Sequence, residues 1–86
     1  MSVMVFYRDN TDYTRAVTDF LHDFKRRTAR DLEEINPDST RGIDLCKIYD
    51  IVEYPSVIAT DEEGKMRNLW RGVPLPTIDE VSYYVQ

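Results

Sequence analysis

The chain has 86 residues, which fits one domain with a single core and leaves no length for a second. Its 42% hydrophobic and 31% charged residues, with aromatics spread along the chain, are the composition of an ordered globular protein rather than a disordered tail. A net charge of -5 at pH 7 excludes a general nucleic-acid binder, because neutralising phosphates requires a dominant basic face.

Met1 to Arg8 (MSVMVFYR) is rich in strand-favouring residues, and its unbroken apolar run predicts a central strand buried on both faces. The run is too short for a signal-peptide core, and no stretch approaches the roughly 20 residues that span a bilayer. The expectation is a soluble cytoplasmic protein with no membrane partner. The lone Cys46 agrees with a reducing compartment, since it has no internal partner for a disulfide.

Tyr13, Ala16, Val17, Phe20, Leu21 and Phe24 recur at helical spacing, with Asp19, His22, Asp23 and Lys25 between them, and predict the first amphipathic helix. Asp9 to Asp12 supply N-caps and negative charge at its start. Lys25, Arg26, Arg27 and Arg30, the single basic cluster, fall at its end, where cations complement the macrodipole. Asp31 to Asn36 reads as a second strand. After Pro37, the group Asp38-Ser39-Thr40 caps a second helix running to about Asp50, weakened by Gly42, with Leu45, Ile48, Tyr49 and Val52 as its inner stripe and Cys46 at the margin.

Pro55 to Thr60 begins a third strand, Asp61-Glu62-Glu63-Gly64 has turn chemistry, and Lys65 to Arg71 alternates as a fourth strand, making a hairpin. Gly72, Pro74 and Pro76 break the chain. Thr77 and Glu80 then form a capping box for a last helix carrying Ile78, Val81 and Val85. The order is βαβαββα: one parallel βαβ unit, then an antiparallel hairpin, so that helices cover both faces of a four-stranded mixed sheet.

That order, together with three local matches, resembles the thioredoxin superfamily and its glutaredoxin-sized members, and implies one thioredoxin-like α/β/α domain over residues 1–86. VFYRDNTDYTRAVTDFL is similar to the family's strand, polar turn, CPYC and helix, with Thr11, Asp12, Tyr13 and Thr14 (TDYT) at the CPYC position. LCKIYDIVEYPSV resembles the stretch leading to the family's cis-proline, which falls here at Pro55. The hairpin through DEEGK and Gly72 resembles its closing ββα segment.

Dithiol exchange needs a thiolate at a helix N-terminus, where the usual thiol pKa of about 8.5 is lowered, and a second sulfur to resolve the mixed disulfide. Threonine hydroxyls supply neither, so a degenerate, redox-inactive site is expected, with no catalytic residue, no cofactor and no iron-sulfur ligation. Thr11 is expected to cap the first helical turn. His22 and the acidic pairs lack companions for a metal site. Trp70 and Arg71 belong to residue types enriched at binding hot spots and are candidate interaction anchors.

The resemblance implies that the residue before the cis-proline, Tyr54, offers its backbone to an extended peptide or to glutathione. The functional expectation is therefore a protein- or peptide-binding adaptor acting through a groove framed by Thr11, Asp12, Tyr13, Tyr54 and Pro55. The alternative is a glutathione- or thiol-linked oxidoreductase that works without a dithiol.

Overall fold

The structure is a computed structural model and describes residues 2–85. Met1 and Gln86, at the two ends of the expected domain, lie outside the described residues. The elements are β1 (Ser2–Phe6), α1 (Thr14–Thr28), β2 (Glu33–Ile35), α2 (Thr40–Tyr49), β3 (Ser56–Thr60), β4 (Met66–Arg71) and α3 (Ile78–Ser82). They form one four-stranded sheet in the order β2-β1-β3-β4, in which β1 runs parallel to β2 and antiparallel to β3, and β3 antiparallel to β4.

The apolar run of β1 divides by alternation between the two faces. Val3 and Val5 join Val17, Phe24, Leu32, Val57, Ala59 and Val81 in the larger core, which α1 and α3 cover. Met4 and Phe6 join Ile35, Ile51 and Ile58 on the opposite face, packed by Leu45, Cys46 and Tyr49 from α2. All five residues of β3 are buried. The two central strands are thus buried on both sides, and the polar residues collect on β2, β4 and the outer helix faces.

The local signals act as their chemistry requires. Ser39 Oγ accepts from the Gly42 N–H at 2.9 Å and caps α2, while Asp61 Oδ1 accepts from the N–H groups of Glu63 and Lys65 and closes the hairpin turn. At α3, Thr77 Oγ1 accepts from the Glu80 N–H at 3.1 Å and the Glu80 carboxylate accepts from the Thr77 N–H at 2.9 Å, a complete capping box. No helix is long and apolar enough to cross a membrane among the described residues.

The inner stripe of α2 differs from the expected one. Ile48 is 70% exposed and Val52 80% exposed, and the helix is seated instead through Gly42, Leu45, Cys46 and Tyr49. Gly42 fixes this rotation: a methyl placed there would stand 1.9 Å from the Asn36 carbonyl oxygen, so the helix touches the preceding loop through that residue. Asp50 then adopts a left-handed conformation and ends the helix, which takes Val52 off it altogether.

Candidate functional site

The TDYT segment runs from the loop after β1 into the first residue of α1, at the end of the sheet where β1 finishes and β3 starts. Asn10 has a positive φ of 60° and turns the chain into it. Helix α1 begins at Thr14, with Tyr13 at the cap position and no side-chain cap. Thr11 Oγ1 accepts instead from the Tyr13 N–H at 3.3 Å, so the expected cap on the first helical turn is a turn-closing bond just ahead of the helix.

The proton order of the two hydroxyls follows from their partners. The Arg8 carbonyl can only accept, so Thr14 donates its proton there, at 2.7 Å. Thr14 Oγ1 then accepts from the Thr11 N–H at 3.0 Å and from the Thr11 hydroxyl at 2.7 Å. One donor and two acceptor sites are all used, and Thr14 is saturated. The Thr11 proton is likewise aimed inward, at Thr14, and a lone pair is what this hydroxyl retains for anything outside.

Beside this turn, Asp12, Tyr13, Ala16, Tyr54, Pro55 and Val73 line a hollow of about 490 Å³. The bonds Tyr54-Pro55 and Val73-Pro74 are both cis. The Pro55 carbonyl accepts from the Gly72 N–H at 2.7 Å, which ties the loop before β3 to the loop after β4 and brings Val73 to the rim. Tyr54 itself precedes β3, and its backbone N–H and carbonyl make no hydrogen bond among the described residues. Tyr13 is held in place by its hydroxyl, which accepts from the Arg8 N–H at 3.0 Å.

A second hollow of about 420 Å³ shares Tyr54 as a wall and is lined further by Arg8, Asp38, Ile43, Cys46 and Val52, among others. Here the Arg8 guanidinium sits 4.6 Å from the Tyr54 ring centroid and pairs with both Asp38 oxygens, at 2.9 and 3.0 Å. That pairing lowers the Asp38 pKa below the usual carboxylate range and raises that of Arg8. The Tyr54 hydroxyl lies 3.4 Å from Cys46 Sγ and donates to the Ile51 carbonyl at 3.4 Å. The hydrogen bond with Cys46, then burial, pushes the phenol up to about 12.

Among the residues singled out in the sequence, Asp12, Tyr13, Tyr54 and Pro55 meet in the first hollow, whereas Thr11, expected to frame it, and Thr14 do not line it and bond to each other. Trp70 does not join them. It is half-buried against the larger core, edge-on to Tyr84 with ring centroids 5.7 Å apart, and Arg71 is exposed opposite Ser56. Cys46 is half-buried rather than fully enclosed, and His22 is exposed. Sequence reasoning missed Ala16, which reads as part of the helix stripe, and Val73, whose position no local pattern marks. It also missed the Arg8–Asp38 pair, which spans 30 residues.

No protein-family model matches the chain, and no curated protein matches it by sequence. Among solved structures, the chain is similar to thioredoxin 1 from the thermophilic eubacterium Thermosipho africanus TCF52B, with a TM-score of 0.67 at 18% identity over 99% of this chain and 90% of that one. The chain has the thioredoxin fold. With that fold in place, the TDYT turn, α1 and the loop through Tyr54-Pro55 stand at one end of a thioredoxin-like sheet, and the carriers of chemistry there are hydroxyls, a carboxylate and free backbone groups.

Proposed function

We propose that this thioredoxin-fold chain is a binding module without dithiol redox activity, which takes an extended protein segment or peptide in the hollow between Tyr13 and Tyr54-Pro55. The observation that carries this reading is the backbone of Tyr54. Its N–H and carbonyl have no partner among the described residues, and Tyr54 lines an apolar-floored hollow of about 490 Å³. A backbone donor and acceptor left open at the end of a sheet are what an extended chain satisfies by strand addition.

Chemistry on sulfur has no support at this place. Thr14 is saturated and Thr11 points its proton inward, so neither hydroxyl is poised as nucleophile or acid.

The test is an amide chemical-shift titration with an extended, end-blocked apolar peptide and, separately, with reduced glutathione. Peptide-induced shifts centred on Tyr13, Tyr54 and Ser56 are expected, and a blank insulin-reduction assay alongside them. Shifts confined to another face, or insulin turnover, would overturn the reading.

A further inference from the structure

Taking the peptide-binding reading as its basis, the charge of the hollow narrows the class of occupant. Its lining contains one ionised side chain, the exposed carboxylate of Asp12, and no cation. Asp12 takes part in no ion pair or side-chain hydrogen bond among the described residues. A second carboxylate lies close to Gly72, the residue before Val73: a methyl there would stand 2.6 Å from Glu53 Oε2.

Nearby positive charge does not cancel this. Arg8 is spent on both oxygens of Asp38 across the Tyr54 ring, and neither Arg15 nor Arg71 lines the hollow. The N-terminus of α1 adds a partial charge of about +0.5, half of what Asp12 carries with opposite sign.

The rest of the lining is apolar or aromatic: Tyr13, Ala16, Tyr54, Pro55 and Val73. A side chain that matches both parts has a long hydrocarbon stem to lie on that floor and a cation at its tip for the carboxylate. Lysine and arginine have that form, whereas an anionic ligand meets a negative rim.

We propose that the hollow selects a segment whose central residue, seated against Tyr54, is lysine or arginine flanked by apolar residues, with Asp12 as the specificity-determining group. Glutathione, an anion at neutral pH, is disfavoured by the same charge.

The test uses the intact chain and three end-blocked apolar pentapeptides that differ in the central residue, lysine, glutamine or glutamate, followed by amide chemical shifts. Exposed ion pairs are modest, so the lysine peptide should bind about threefold to tenfold tighter than the glutamate peptide, with glutamine between them. The preference should fade at about 1 M salt, where the screening length falls to about 3 Å. D12N should erase it and D12K should reverse it.

Equal binding of all three peptides at Tyr54 would leave the groove reading standing and overturn the charge selection. So would a glutamate preference, or a lysine preference unchanged in D12K. No binding by any of the three would overturn both readings.

Discussion

Thr14 Oγ1 lies 2.7 Å from Thr11 Oγ1 and 2.7 Å from the Arg8 carbonyl oxygen, and through these contacts one hydroxyl ties the end of β1 to the start of α1. Thr14→Val keeps the shape and removes that link, leaving the Arg8 carbonyl and the Thr11 N–H unpaired. A loss of about 1–3 kcal/mol is expected in urea unfolding. Thr11→Val removes the Tyr13 N–H acceptor and the bond to Thr14 but leaves Thr14 on Arg8, so about 0.5–1.5 kcal/mol is expected. If the two variants lost stability in the reverse order, Thr14 would not be the hydroxyl that ties the turn to Arg8.

The same geometry makes a statement about sulfur. The two hydroxyl oxygens stand 2.7 Å apart, so the side chains at these positions already point at each other, as a disulfide requires. The double variant Thr11→Cys, Thr14→Cys should therefore oxidise to an internal disulfide. Thiol titration of the unfolded, oxidised protein should then find one free thiol, that of Cys46. Finding three would show that the turn cannot hold the bridge.

Gly42 gives a prediction whose sign is opposite to helix propensity. Exposed Gly→Ala changes inside helices stabilise by up to about 1 kcal/mol. Here the new methyl would meet the Asn36 carbonyl oxygen at 1.9 Å, a backbone atom that cannot turn away. Gly42→Ala should destabilise by about 1–3 kcal/mol in urea unfolding, as overpacking does. A gain in stability would mean that α2 is not seated through this residue.

Acid should weaken the fold through three carboxyls whose folded pKa values are lowered. Asp38 is held down chiefly by its hydrogen bond from Arg8, Asp61 by the Lys65 N–H and Glu80 by the Thr77 N–H. A lowered folded pKa means that the unfolded chain binds protons first. Their stabilisation is therefore full above the ordinary carboxylate pKa of about 4 and is lost as pH falls through the lowered values. The urea midpoint should be flat from pH 7 to about pH 5 and drop below about pH 4. Asp38→Asn and Asp61→Asn should each flatten that drop.

At the alkaline end the sign reverses. Hydrogen bonding to Cys46 and burial raise Tyr54 to about 12, and burial and Glu34 raise Tyr7 to about 12. Their stabilisation is complete below the ordinary phenol pKa of about 10 and is lost as pH climbs toward 12. In a phenolate absorbance titration, Tyr7 and Tyr54 should ionise only as pH approaches 12, together with the loss of the folded circular-dichroism signal. Tyr54→Phe should remove one of the late protons. An unchanged titration would place Tyr54 outside its contact with Cys46.

Part of the fold was fixed by short-range physics and was legible in the chain. The apolar run Val3 to Phe6 required burial on both faces, the spacing from Tyr13 to Phe24 required an amphipathic helix, and Thr77 with Glu80 required a helix start, because each pattern acts within a few residues of itself. The absence of sulfur from TDYT was equally plain. Tertiary contacts decided the rest. The stripes containing Ile48 and Cys46 are both at helical spacing, and only the close approach of Gly42 to Asn36 chose between them. The hollow joins Asp12, Tyr13 and Ala16 with Tyr54, Pro55 and Val73, and no local rule could gather them. They meet because antiparallel pairing of β3 with β4 and the Gly72–Pro55 hydrogen bond carry Val73 back to the start of α1, a distance in sequence that only the folded chain spans.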